Sequence, residues 1–482
     1  MGFMDSLNRP SSVGSGGPLD PARLPYLPGG RWPRRQFLQA LAGAGAGIAL
    51  GQTPGERPVR SPELRVLNPR NRVPLSFIID DSTCLVNLNR FAMPQFDAAF
   101  QGSNPTYRRD WPDWPVEIPD RFVRRFAEWC ADQGVRGKFS IVPYPACVGR
   151  LDREVPGWSA QAVADSLAMV REVITPHWDI HPEMVTHTRV IDLKTGHPVP
   201  ERSLKFMENW DWTTGRSADE IAAYMVYALR ILKEVGLPVS GITTPGGFGN
   251  RALPQLAQAT FQAVREVFAA EIPHYFRHAF DRGTESVAPR VENAFGLDGP
   301  DPRCVVSIVA CTGDWTGGWD NRPPVGADAY ITEDLQRGRM VDIIERGEPA
   351  CPISHWTGIH HNGAELGFAV FREVVRRLHT RFDNLVWMKL SEISRYWAAK
   401  ELTRWVATPS SARFHAPFSC PEFTVRCPGH PSQAPGLTVA GAPTPLREIQ
   451  RSRDLVQGTW CRENEGWIAC FNLPRGESTL GW

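Results

Sequence analysis

Residues Val73–Asp81 read VPLSFIIDD, a short apolar run that ends in two adjacent aspartates. Side-by-side carboxylates at the end of a buried strand repel one another unless a cation or a proton lies between them. At the C-terminal rim of a barrel or an open sheet, such a pair has the makings of a metal ligand plus a general base. Asp80, Asp81, Ser82 and Thr83 are also good capping residues, so a turn or helix N-cap accounts for the same letters. Histidines supply the rest of the candidate chemistry: His177, His181 and His187 in one stretch, His355, His360 and His361 in another. A cation such as zinc needs three protein ligands and one open position. An imidazole, with an ordinary pKa of about 6.5, can donate a proton near neutral pH.

The elements that must position these groups alternate. Strands are expected over Leu75–Ile79, Gly137–Val142, Glu183–Thr188, Leu237–Thr243, Val305–Ala310, Ala350–His355 and Leu385–Lys389. Helices are expected over Pro119–Gly134, with Phe122, Phe126 and Trp129 on one face, and over Ser159–Ile174. Further helices are expected over Ser217–Val235, with Glu220 at the capping-box position, then over Leu256–Ala270, Gly367–Thr380 and Leu390–Glu401. Repeated strand–helix units imply parallel strands with helices outside, so the expected fold is α/β, a distorted β/α barrel over residues 60–402. Functional residues of such a scaffold sit on the loops after the strands. From residue 403 the helical period ends, and runs such as PEFTVRC, GLTVAG and GWIACF predict a small β-rich appendage over 403–482.

Composition narrows the function classes. Net charge is +1, which gives no basic surface for a nucleic acid. Seventeen tryptophans with 42 glycines and 43 prolines suit an enzyme with long, aromatic-lined loops. Residues 1–30 are rich in Ser, Gly and Pro without periodicity. Pro33–Gly51 then resembles a twin-arginine export signal, with Arg34 and Arg35 ahead of a weakly apolar stretch too short and Gly-rich for a membrane span. Residues 1–52 are therefore expected to lie outside the fold. The chain is expected to be exported to the periplasm or beyond, with the twin-arginine translocase as its partner on the way. None of the ten cysteines forms a CxxC pair; an oxidising destination permits disulfides, with Cys420–Cys427 and Cys461–Cys470 the first pairs to test.

Taken in order, the segments over about residues 70–400 resemble the polysaccharide deacetylase family of carbohydrate esterases. IIDDS, Ile78–Ser82, stands where that family has TFDDG; the resemblance implies Asp80 as general base and Asp81 as metal ligand. GVRGKFSIVP from Gly134 resembles the following helix end and strand. HPEMVTHTRVID, His181–Asp192, matches the family's second motif at His187–Thr188, but Ile191 occupies the place of its second histidine. His181 is the expected substitute ligand beside Asp81 and His187; Asp192, His177 and Asp179 are nearby alternatives. In Ala218–Gly249, Thr243 or Thr244 replaces the arginine that steadies the base. Thr244, Pro245 and Gly246 are expected on the substrate side, with turn N–H groups facing an oxyanion, although Pro-Gly-Gly also makes a plain turn. VVSIVACTGDW implies Asp314 as an orienting acid and Trp315 as a wall of the site. CPISHWTGIHH implies His355 as general acid, with His360 and His361 left for metal or sugar.

The resemblance thus implies a hydrolase that uses a divalent metal, with zinc expected, to remove acyl groups from a polysaccharide or related carbohydrate. Two alternatives stay open: hydrolysis of a non-sugar C–N bond on the same fold, and an exported, non-catalytic carbohydrate-binding protein.

Overall fold

A computed structural model describes residues 53–482, apart from 109, 110, 432 and 465. The expected export signal lies outside the described residues. In chain order the strands framing the site are β1 (Val73–Leu75), β2 (Phe77–Asp80), β3 (Gly137–Ser140), β4 (Trp178–His181), β5 (Gly241–Thr243), β6 (His274–Ala279), β7 (Arg290–Phe295), β8 (Arg303–Ala310), β9 (Ile353–His355) and β10 (Leu385–Trp387). The main helices are α1 (Leu88–Ala99), α2 (Asp120–Asp132), α3 (Ala160–Met169), α4 (Ala218–Glu234), α5 (Leu253–Phe268), α6 (Arg339–Glu345), α7 (Leu366–Arg381) and α8 (Leu390–Leu402).

Local signals placed most of these. Ser217 caps α4: its hydroxyl accepts from the Glu220 N–H at 3.2 Å, and the Glu220 carboxylate accepts from the Ser217 N–H at 2.9 Å. α4 then buries Ile221, Tyr224, Met225, Leu229 and Leu232. Phe122, Val123, Phe126 and Cys130 form the buried stripe of α2, with roughly 1.5–3 kcal/mol gained per large side chain.

β9, β2, β3 and β4 form one parallel sheet in that order, and β7, β8, β6 and β5 form a second. β10 pairs only with β1. The expected distorted β/α barrel is therefore corrected: the fold is mixed α/β, and its strands fall into separate small sheets with no barrel among the described residues. Isolated bridges at Ile180–Val239, Glu183–Thr243 and Leu75–Ala350, with a backbone hydrogen bond from Cys311 N–H to Cys351 O at 2.8 Å, link neighbouring groups. The physical cause lies in the strands. β1, β5, β9 and β10 are three residues each, too short to carry a continuous ladder. β7 also runs antiparallel to β8, which interrupts the strand–helix repeat.

The segment expected as a strand over Glu183–Thr188 is a loop, with Met184 and His187 in left-handed backbone at φ 56 and 62°. The strand before it is β4. α1, β6 and β7 had no expectation attached. Residues 404–481 form two five-stranded sheets, one of which takes in Arg65–Val66. They share a core with α8, through Trp397, Ala398, Phe414 and Phe423. All ten cysteines are free. Cys420 and Cys427 lie on one strand, up to about 23 Å apart at 3.3 Å per residue, beyond disulfide reach. Cys461 faces Ile468, and Cys470 faces Thr459, across their ladder. No helix among the described residues is long and apolar enough to cross a membrane.

Candidate metal and proton-transfer site

Asp80 is the last residue of β2, and Asp81 turns the chain away with φ 60°. That left-handed backbone costs of order 1–3 kcal/mol unless its surroundings hold it. Three contacts do. The Asp81 N–H donates to Glu183 Oε2 at 2.8 Å. Asn89 Nδ2, from α1, donates to Asp81 Oδ2 at 2.7 Å. Asp81 Oδ1 lies 3.1 Å from His187 Nε2. The ring's other nitrogen, Nδ1, lies 3.4 Å from Glu183 Oε1.

Asp81, Glu183 and His187 are all buried, and their ligand-type atoms lie within 4.8 Å of one another, so the group can hold a metal ion. Asp81 Oδ1, His187 Nδ1, Asn89 Oδ1 and Asn209 Oδ1 are buried without a hydrogen-bond partner, an arrangement that buried polar atoms rarely keep. Two carboxylates and an imidazole are a donor set suited to zinc or a similar divalent ion. The same atoms also suit a proton. Burial presses His187 down, but the charges of Asp81 and Glu183 lift it to about 9. Burial pushes Glu183 up, yet the adjoining imidazole brings it down to about 2. A cation entering this group therefore exchanges with the imidazolium proton.

Asp80 belongs to a second unit. Its carboxylate pairs with the ammonium of Lys138, which is fully buried on β3. Lys138 Nζ also donates to Ile79 O at 3.0 Å and Ser140 Oγ at 2.7 Å. Burial raises Asp80 to about 6 against the opposing pull of Lys138. Lys138 is thus the cation that holds the Asp80 carboxylate, from β3 and not from the end of β5. Thr244 itself donates to Phe276 O at 3.1 Å and Arg277 O at 3.2 Å, tying the end of β5 to β6. The Pro245–Gly246–Gly247 turn backs onto Asn209: Gly247 N–H donates to Asn209 O at 2.6 Å. A Cβ at Gly246 would lie 2.9 Å from that same oxygen. Asn209 Nδ2 in turn lies 3.3 Å from His187 Nε2, so the turn buttresses the ligand loop.

The third unit comes from β9, where His355 stands in register with Asp80 on the neighbouring strand. Its Nδ1 donates to Asp314 Oδ2 at 2.6 Å. Burial opposes the charged ring, but Asp314, followed by Asp81, lifts His355 well above its ordinary value. The Asp314 carboxylate against Nδ1 thus favours the charged form of the ring. Trp315 is half-buried, its ring edge-on to Tyr330 at 5.1 Å. His360 sits in the core instead, its ring tilted against that of Phe122 at 4.9 Å and pushed down to about 4 by burial. His361, in left-handed backbone at φ 46°, ends the short helix that carries His360.

His181, expected beside Asp81, lies in a different group with Asp179 and His274. Its Nε2 is 3.0 Å from His274 Nε2, and its Nδ1 is 3.3 Å from Thr243 Oγ1. Asp179 is already engaged by the backbone N–H and hydroxyl of Ser391 at 2.6 and 2.9 Å. Lys138 acts on His181, and Lys389 and Arg136 act on Asp179. Those cations oppose a further positive charge, so we read this group as a hydrogen-bonded pair of neutral imidazoles. Of the other substitutes, Asp192 is exposed and His177 only partly buried.

Glu183 completes the first group, and sequence reasoning passed over it. Its signal was the four-residue spacing of Glu183 and His187, which matches the spacing sought between His187 and Ile191. Lys138 was legible too, as a lone cation inside the apolar run GKFSIV. Asn89, Glu208 and Asn209 gave no comparable signal.

No family model matches the chain, and no curated protein matches it. Among solved structures it is similar to a 4-alpha-glucanotransferase from Thermococcus litoralis, at TM-score 0.34 and 11% identity, over 67% of this chain and 40% of that one. The chain thus spans less than half the length of that enzyme. It is also similar to AbfB, a family 51 alpha-L-arabinofuranosidase from Bifidobacterium longum, at TM-score 0.21 and 11% identity, over 87% of this chain and 99% of that one. At these TM-scores neither likeness carries an argument about fold or function.

Proposed function

We propose that this chain is a metal-dependent hydrolase that removes acyl groups, acetyl above all, from a carbohydrate. The observation that carries the reading is the convergence of three units on one rim: the Asp81–Glu183–His187 group, the Asp80–Lys138 pair, and the Asp314–His355 pair in register with Asp80. A divalent ion, when bound by Asp81, Glu183 and His187, supplies a Lewis acid for a carbonyl oxygen and acidifies a water. The protein's own groups divide the proton work. Asp80, with a pKa of about 6, is ionised at neutral pH and accepts the proton of the attacking water. His355, held charged by Asp314, donates its Nε2 proton to the departing nitrogen or oxygen. Lys138 keeps the Asp80 carboxylate aimed, and Asn89 does the same for Asp81. Half-buried Trp315 and Trp319, one and five residues after Asp314, are the side chains we assign to hold a sugar ring.

The test is metal content and acetate release measured together. Purified chain should carry one zinc or similar ion and release acetate from acetylated oligosaccharides. Asp81→Ala and His187→Ala should lose both the ion and the activity, and Asp80→Asn the activity alone. An ion retained in full by Asp81→Ala would overturn the ligand assignment. A loaded protein that cleaves small amides but no acetylated glycan would move the substrate to a non-sugar C–N bond. Glycan binding without ion or turnover would make the chain a binding protein.

A further inference from the structure

Glu208 touches neither the metal group's side-chain atoms nor the Asp80 and His355 pairs, yet it is fully buried and carries more donors than any structural acid needs. Its Oε1 accepts from the Val185 N–H at 3.2 Å, the Thr186 N–H at 3.1 Å and the Tyr224 hydroxyl at 2.5 Å. Its Oε2 accepts from the Thr186 N–H at 3.1 Å and the His187 N–H at 2.6 Å. Three successive backbone N–H groups pointing at one place form an anion-binding nest. Here the chain fills its own nest. Met184 and His187, both left-handed, bracket it. The backbone of Glu208 closes the other side, its N–H donating to Thr188 O at 2.7 Å. The next residue, Asn209, meets the His187 ring. Tyr224 anchors the acid to α4 and also accepts from the Ile191 N–H at 3.0 Å.

We propose that Glu208 is a positioning residue whose carboxylate, seated in the 185–187 nest, locks His187 in left-handed backbone so that its ring meets Asp81 and Glu183. The inference rests on the metal-site reading for its functional consequence, though the lock itself does not. A left-handed non-glycine residue needs its surroundings to hold it. The N–H of His187 is held by Glu208 just as the N–H of Asp81 is held by Glu183. Without the carboxylate, three buried N–H groups lose their acceptor, the loop relaxes, and the spacing of Glu183 and His187 is no longer fixed. Outer-shell partners of this kind change metal affinity by about 10- to 100-fold.

The variants are Glu208→Gln, which keeps the shape but loses the charge and one acceptor, and Glu208→Ala, which empties the nest. Zinc affinity by chelator competition is expected to fall about tenfold in Glu208→Gln and up to about 100-fold in Glu208→Ala. Sodium formate, a carboxylate small enough for the emptied nest, should restore most of the affinity of Glu208→Ala, while sodium chloride at equal ionic strength should not. Hydrogen exchange supplies a readout independent of metal: amides 185–187 should lose protection in Glu208→Ala and regain it in formate. Unchanged protection of those amides would overturn the lock. Lost protection with unchanged zinc affinity would overturn its role in positioning the ligand. Should wild-type chain bind no zinc while the amides respond as described, the metal reading falls and the lock stands. Tyr224→Phe, which removes one donor and leaves the acid in place, guards against misfolding; it should show the same loss of protection in smaller degree, and full protection in it would count against the assignment.

Discussion

Glu183 faces two ways at once: its Oε2 accepts the backbone N–H of Asp81 at 2.8 Å, while its Oε1 lies 3.4 Å from His187 Nδ1. One carboxylate therefore both holds Asp81 in left-handed backbone and completes the ligand group. Glu183→Gln keeps the acceptor for Asp81 but removes a charge. It should bind zinc at least about 100-fold more weakly, the upper range seen for loss of a mere outer-shell partner. His181→Ala, three residues before left-handed Met184 but in another group, should keep one ion per chain. Elemental analysis and chelator competition on both variants check the pair; equal losses in the two would reverse the assignment.

Lys138 is the only charge against the buried side of Asp80 that comes from β3, and its removal has a definite sign. Lys138→Met leaves an uncompensated buried carboxylate, a change worth roughly 3–5 kcal/mol in other proteins. With the ammonium gone, burial and the Glu183 charge are opposed by His355 alone, and Asp80 rises above its present value of about 6. Urea unfolding should show the loss of stability. The acid limb of kcat/KM against pH should move to higher pH. A variant of ordinary stability with an unmoved acid limb would show that Lys138 does not govern Asp80.

Much of this site was legible in the residues, and the misses have physical causes. Asp80, Asp81 and His355 were legible because short apolar runs that break off in polar residues mark strand ends well, and Asp314 follows the end of β8 by four residues. Glu183 was passed over because the third member of the group was sought at His181, on the strand before the loop, and the structure places His181 with Asp179 and His274 instead. The left-handed residues Met184 and His187 reverse the chain there, and no propensity encodes that reversal. Glu208 was invisible because its role consists of contacts to backbone N–H groups, which any loop possesses. The barrel failed for a related reason. Strand–helix alternation predicts parallel pairing, but whether three-residue strands such as β5 and β9 complete a ring depends on ladder length, which the pattern does not carry.

In the proposed reaction, Asp80 and His355 fix the shape of the pH profile. Asp80 works as a base only when ionised, so kcat/KM should fall about tenfold per unit as pH drops below about 6. His355 works as an acid only when protonated, and Asp314 holds it well above its ordinary value. The profile should thus stay flat through neutrality and decline only in alkali. Asp314→Asn removes the support and should bring the alkaline limb down towards neutral pH. An alkaline limb that ignores Asp314 would remove His355 from the reaction.

The imidazole pair in the interior ties stability, rather than turnover, to pH. Burial drives His181 well below its ordinary value and His274 to about 4, whereas in the unfolded chain both return to about 6.5. Between about pH 6.5 and 4 the unfolded state binds more protons than the folded one. The pair's contribution is therefore fully present above 6.5 and is lost progressively as pH falls. Gly241 shapes the same spot: a Cβ there would lie 2.5 Å from His181 Nε2 and 2.6 Å from His274 Nε2. Gly241→Ala should part the rings and cost roughly 1–3 kcal/mol, as overpacking does elsewhere. His274→Gln should flatten the acid limb of stability by removing one titrating group. Urea unfolding from pH 7 to 4 on wild type and both variants measures each effect. Parallel pH slopes for wild type and His274→Gln would mean that the buried pair is not what protons attack as the fold is acidified.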